Sequence, residues 1–486
     1  MAYTGRREIY TDETQITKDN IAQVLEDAFR IHKQNEADIK YLQEYEKGVQ
    51  PILNRVKEVR PEINNTVVEN HASEITAFKT GYVFGSPISY VQRSSDDKTG
   101  GVVDDKDIAL LNEMMFEEGK IAQDQALGKD LAVCGLGYRI VLPKDSKDSI
   151  SKFTLLKMNP RTTFVVRFND IFRRKALGVS YVTLSDNTLR VGAYTDAEYF
   201  ELTGGASGGF KVNKCEVNPI GIIPIVEYCN DNERMGCFER VLPLLDALNL
   251  ATSDRLNGLA QFISSFIWFN NCELDDEQMK KLKDKMGLMT KSEPGNPASV
   301  QYLSSNLNQT ETQTLVDYLY EQILQIAGVP SREKSTGGNT GSAVVLSDGW
   351  QIAETHARSL ELLFTASEKE VLEIVLKILR ATVPDSQLNL KLSDIDVKFS
   401  RNKTDSLLVK TQGLMNQLQA GIHPLVAITH CGLYSDPQSV WNSSRPYMGK
   451  WLYDAEEGDI DGEDTVPHSG RSGGEDNLEN LEGVQA

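Results

Sequence analysis

Two long, apolar-striped segments that bracket a short charged insertion constrain this chain more than any other feature. Across residues 238–269 apolar side chains recur at Phe238, Val241, Leu245, Leu248, Leu256, Leu259, Ile263 and Phe266, while Asp246, Ser253, Asn257 and Ser264 mark another side. Steps of three and four, broken only across Thr252, predict a helix on the order of 45 Å long. Residues 311–327 repeat the pattern at Leu315, Leu319, Ile323 and Ile326. Between them, residues 273–308 set Lys280, Lys281, Lys283 and Lys285 among Asp275, Asp276, Glu277 and Asp284, with a breaker string at 294–297. Helix, small insertion and returning helix make a stalk with a knob at its far end. One such helix could line an ordinary core. The pair with its knob points to packing against copies of itself about an axis, where long helices bury one face between neighbours.

The rest of the chain reads as α+β. Helices are expected over 20–32, with Ile21, Val24, Leu25, Ala28, Phe29 and His32 on one stripe, and over 65–79, with Gly81 as the stop. Short apolar runs follow at 138–142, 153–158, 163–168, 179–184, 189–194, 199–202, 210–217 and 222–226. Turn signals at Asn169-Asp170, Ser185-Asp186-Asn187 and Gly204-Gly205 make them antiparallel hairpin strands. A helix over 108–131 interrupts the set. After the second stalk helix, Pro330 forces a stop, and residues 331–342 hold no apolar side chain, which predicts an exposed, mobile loop. A long helix is expected from 343 to 379, one or two strands over 388–399, and helices over 404–421 and 425–431. Residues 454–486 hold eleven acids against one base, Arg471, and too little apolar surface to fold.

Composition and motifs exclude several classes. The 486 residues leave room for about three domains. A net charge of −19 speaks against a broad basic grip on nucleic acid. No run approaches the ~18 apolar residues of a membrane helix, and the polar start around Arg6 and Arg7 argues against a secretory signal, so intracellular synthesis is expected. Cys134, Cys215, Cys229, Cys237, Cys272 and Cys431 include no closely spaced pair and read as reduced, buried thiols. Glu69, His71 and Glu74 share a helix face but read as a solvated surface. His423, His430 and Cys431 lack further ligands, and Asp459 to Glu463 departs from a calcium loop. No metal and no cofactor is expected. Gly337 to Gly341 precede a helix and could cradle a phosphate, yet no Lys-Ser/Thr follows them and a helix, not a strand, comes before. Zincin and dinucleotide motifs are missing from the sequence, and catalysis is not expected.

Three stretches, in this order and spacing, carry a resemblance: Asn64 to Ile88 (NNTVVENHASEITAFKTGYVFGSPI), Asn218 to Glu233 (NPIGIIPIVEYCNDNE) leading into the long helix with Asp246 and Asn249, and Ala327 to Pro330 with its polar loop and following helix. The chain resembles the portal, or head-to-tail connector, proteins of tailed double-stranded DNA bacteriophages, of the type found in siphophages of Gram-positive hosts. The resemblance implies a wing made of 1–237 and 343–402, stem helices at 238–271 and 310–330, a clip at 272–309, a tunnel loop at 331–342, a crown at 403–450 and an acidic tail at 451–486. It implies a non-enzymatic ring, commonly of twelve copies, assembled in the host cytoplasm at one capsid vertex of the virion for DNA packaging, retention and ejection. Its partners would be passing double-stranded DNA, a terminase motor, head-completion or adaptor proteins, and scaffolding and major capsid proteins. Arg332, Lys334, Ser335, Thr336, Gly337, Gly338 and Asn339 would face DNA, and Lys280, Lys281, Lys283 and Lys285 would meet partners at the clip. An acidic ring suits a conduit, because each phosphate neutralised by a cation strengthens binding and adds friction. The alternatives are a cytosolic nucleotide-binding enzyme using Gly337 to Gly341, and a helical scaffold without a channel.

Overall fold

A computed structural model describes residues 5–58, 60–93, 105–145, 149–205, 208–263, 266–270, 299–303, 309–330, 349–382, 390–400, 407–434 and 437–444. The chain divides into two compact units, Met1–Asp405 and Ser406–Ala486. In the first, helices and strands mix as an α+β fold. β1 (Ile9–Thr11) opens a six-stranded sheet of order β1-β5-β6-β7-β8-β9. There β5 (Thr163–Phe168), β6 (Lys175–Thr183), β7 (Leu189–Tyr194), β8 (Glu198–Gly205) and β9 (Gly208–Val217) form an antiparallel meander, and β1 adds in parallel. The turn signals at 169–170 and 185–187 sit where expected, with Asn187 at φ +62° and Thr188 N–H donating to Asp186 Oδ1 at 3.0 Å, whereas Gly204 and Gly205 are the last paired residues of β8.

Helix α1 (Ile21–Glu46) covers this sheet with the expected stripe, Ile21, Leu25 and Phe29 meeting Phe164, Val179 and Phe200. The helix runs well past residue 32 because Ile39, Leu42 and Tyr45 continue the apolar spacing into a second core. His32 is buried in that stripe, stacked on Phe164 at 4.3 Å with Nε2 3.0 Å from the Arg161 carbonyl oxygen, and burial holds its imidazole down at about 4.

A three-stranded sheet, β10-β3-β4, lies beyond, formed by β3 (Leu136–Pro143), β4 (Phe153–Met158) and β10 (Ile225–Cys229). Helices α2 (His71–Phe84), α3 (Asp105–Glu117) and α4 (Lys120–Cys134) pack around it. Two expectations are corrected here. The single helix over 108–131 is two, because Gly119 takes φ +67° and ends the first. The helix expected over 65–79 starts only at His71 and passes through Gly81 to Phe84, since residues 64–70 run extended along another element.

Helix α5 (Leu242–Ile263), opened by a 3-10 turn at Glu239–Val241, ends six residues before the expected limit of 269. The aromatic and β-branched run that follows forms β11 (Phe266–Asn270), paired antiparallel with β12 (Ser299–Leu303). Helix α6 (Gln309–Ala327) returns. Helix α7 (Trp350–Thr382) then crosses behind the three-stranded sheet, and among the described residues one strand follows it, β13 (Ile395–Lys398), paired with β2 (Ser89–Gln92). A 3-10 turn at Leu392–Asp394 precedes β13 within the expected strand region, whose first residues, 388–389, lie outside the described residues. The second unit contains α8 (Leu407–Gln419), α9 (Pro424–Cys431) and α10 (Pro437–Ser444). In it His423 caps α9, its Nδ1 accepting from Leu425 N–H at 3.3 Å.

The core contains a charged centre that the sequence did not announce. Arg139 of β3 has no exposed surface and lies 3.1 Å from Glu368 of α7, while also binding Asp124 of α4. Lys120 reaches the same Glu368 at 3.1 Å, and Tyr228 donates to it at 2.7 Å. Tyr90 of β2 donates to it as well. Burial alone would raise the Glu368 carboxyl, but Lys120 and Arg139 overcome it and hold it below the usual range. Of the cysteines expected to be buried, Cys134 is, Cys215, Cys229, Cys237 and Cys431 are only partly so, and Cys272 lies outside the described residues.

A second buried pair ties the N-terminal segment to α5: Arg6 and Glu239 meet at 2.6 Å. Burial pushes the Glu239 carboxyl up to about 7, with Arg6 opposing it only in part. A carboxyl raised in the fold favours the protonated native state, so stability falls as pH rises through that value. We expect a loss of about 1 kcal/mol between roughly pH 6 and pH 8, read from urea midpoints. Glu239→Gln should flatten that slope, and an unchanged slope would assign the titration to another group.

Candidate functional site

The helix pair α5 and α6 runs antiparallel. Leu245 and Leu248 of α5 share a core with Ile323, Leu324 and Ala327 of α6, while Arg255 further along α5 binds Gln313 near the start of α6. The predicted stripe splits along its length. At the base, Leu245 and Leu248 are 1% and 0% exposed; past the core, Leu256 and Leu259 are 42% and 49% exposed. On α6, Leu315 and Tyr318 are 50% and 56% exposed. Large apolar side chains therefore face outward on a surface-grade scale on both helices, and only the proximal half of the stripe closes a core within one copy.

The side that read as polar is instead held inward. Asn249, Ser253 and Asn257 are spaced one turn apart and are all buried. They bond the backbone of the extended segment at 64–70: Asn249 Oδ1 accepts from Glu69 N–H at 2.8 Å, Ser253 Oγ from Val67 N–H at 2.9 Å, and Asn257 Oδ1 from Asn65 N–H at 2.7 Å. Asn257 also donates back to the Asn65 carbonyl at 3.0 Å. Alternate residues of an extended strand and every fourth residue of a helix are brought into step, so side chains satisfy a backbone that no sheet partner serves. This ladder keeps α5 attached without using its apolar face.

Glu69, His71 and Glu74 correct the solvated-surface expectation. His71 Nδ1 lies 2.7 Å from Glu74 and Nε2 lies 3.2 Å from Glu69, all three partly buried. Thr252 of α5 donates to Glu69 at 2.8 Å and Tyr320 of α6 to Glu74 at 3.2 Å, so the trio joins α2 to both stalk helices. Among the described residues no group of three or more His, Cys, Asp or Glu is placed to hold a metal, and no helix is long and apolar enough to cross a membrane.

Of the expected functional residues, Arg332, Lys334, Ser335, Thr336, Gly337, Gly338 and Asn339 lie outside the described residues, as do Lys280, Lys281, Lys283 and Lys285 and the stretch from Asp459 to Glu463. The base of the expected loop is described. Residues 327–330 are buried, and Gly328 closes α6 at φ +64°, where a Cβ would stand 2.6 Å from His356 Nδ1.

The model of the phage portal proteins, SPP1 Gp6-like, matches residues 25–433 of this chain. The chain belongs to that portal family. No curated protein matches it in a sequence comparison. Membership gives a phage portal role in the virion capsid and, in coarse terms, an oligomeric ring with capsid-related partners. The family is structural rather than enzymatic. In this portal chain the exposed α5 and α6 stripe closes no core within the single copy. The Asn249, Ser253 and Asn257 ladder is what sequence reasoning missed; its signal was polar residues at steps of four on a helix otherwise read by its apolar side.

Proposed function

We propose that the chain assembles into a hollow ring, commonly of twelve copies in this family, at one capsid vertex, through which a terminase motor drives double-stranded DNA. The observation that supports this reading most is the apolar stripe of Leu256, Leu259, Leu315 and Tyr318, which continues past the core and has no use in a solitary copy. Charge agrees with a sliding role: α5 and α6 together carry Asp246, Asp254, Glu311, Asp317 and Glu321 against Arg255. Few cations means few phosphate contacts and little drag. The pair is the stem, and β11 and β12 begin the clip, where Lys280, Lys281, Lys283 and Lys285 meet the terminase and the head-completion or adaptor protein. The sheets with α1 and α7 form the wing, which meets scaffolding and major capsid proteins. Residues 403–450 form the crown. Arg332, Lys334, Ser335, Thr336, Gly337, Gly338 and Asn339 form the tunnel loop, making transient, sequence-blind contacts with DNA.

Deleting 332–341 is expected to leave rings, seen end-on with a central hole in negative stain, while impairing DNA packaging or retention in particles. Normal packaging by that variant would remove the loop's role. A wild-type chain that stays solitary under assembly conditions would remove the ring itself.

A further inference from the structure

A cavity of about 450 Å³ opens where α6 ends and α7 begins. Ala353 and Ala357 of α7 line the space, and Gly128 of α4 admits the Phe84 ring that forms another part of its wall. Lys79 of α2, Arg240 and His356 stand around it. Arg240 is answered by Asp231 at 3.2 Å and Glu233 at 3.3 Å. Lys79 is not answered in that way: its Nζ donates to the Gly328 carbonyl at 3.0 Å and to Nδ1 of His356 at 3.3 Å, and among the described residues no carboxylate pairs with it. An ammonium so placed has lost much of its water and gained only two neutral acceptors, a state that an incoming anion relieves. Burial lowers Lys79 to about 8, in keeping with a cation short of counter-charge.

We infer that this cavity is a socket for a carboxylate side chain of a second copy of the chain, with Lys79 as its counter-ion. Two observations select that occupant. The chain has 70 acids against 51 bases, so the copy that arrives is rich in the complementary charge. The cavity also adjoins the surface already assigned to copy-to-copy packing: Ile326 of α6, 48% exposed, forms part of its wall, on the helix that presents Leu315 and Tyr318. In a ring closed by rotation, unlike surfaces meet, so the acid comes from a different part of the next copy. The inference rests on the ring reading above.

Cys237 also lines the cavity and reports on it. Full-length chain separated into monomers and rings would be treated with methyl methanethiosulfonate and mapped by peptide mass. Cys237 is expected to label several-fold more slowly in rings. Rings of Lys79→Met should fall apart at a several-fold lower salt concentration than wild-type rings, while their monomers melt close to the wild type. Wild-type rings whose Cys237 labels as fast as in monomers overturn the socket and leave the ring reading intact, and so does an unchanged salt midpoint in Lys79→Met. Protection that appears only after another virion protein is added overturns it in favour of that partner. A chain that forms no rings overturns both.

Discussion

Replacing Leu256 and Leu259 together by glutamate is expected to leave a folded monomer and to abolish ring assembly. Both side chains are close to half exposed in the single copy, so the monomer loses little. Burying what remains of each in a copy-to-copy contact contributes roughly 1 kcal/mol. A carboxylate forced into the same contact without a partner costs several kcal/mol more. The penalty recurs at every contact around a closed ring, so assembly should drop by orders of magnitude. Sedimentation or native mass at a concentration where the wild type forms rings reads the effect, with thermal melting as the control on folding. Rings at wild-type abundance would show that the outward stripe is not a copy-to-copy surface.

Arg139→Met is expected to cost about 3–5 kcal/mol of stability, because it leaves Glu368 and Asp124 buried with Lys120 as their remaining full charge partner. Removing the facing carboxylate as well, in Arg139→Met with Glu368→Gln, should return part of that loss. Urea midpoints of the single and double variants test both statements, and a single-variant loss under about 1 kcal/mol would mean that water reaches the cluster. The wild-type cluster has an acid limit. Glu368 titrates below the ordinary carboxylate range, so its contribution is in place above that range and is lost as pH falls through its lowered value.

Local patterns in the sequence were faithful where burial and period agree. The strands at 153–158, 163–168 and 189–194 are found at those bounds, because alternation, turn residues and sheet pairing all point the same way. Helix ends were less legible. Nothing local says that residues 65–70 prefer the side chains of α5 to their own helical bonds, nor that the run from Phe266 breaks from α5 into a strand, since both are decided by segments distant in the chain. Arg139, Lys120, Asp124 and Glu368 gave no warning either, because charged residues carry no periodic signature and are ordinarily exposed. The outward stripe is the instructive case. Its period identified the helix, but period alone cannot tell a face that closes on its own chain from one that waits for another.

The Asn249, Ser253 and Asn257 ladder has a mechanical consequence. A force directed along α5 strains all its rungs at once instead of one after another. Bonds loaded in shear share the tension, whereas bonds peeled from one end fail in succession. The helix is thereby anchored against sliding while its greasy flank stays uncovered.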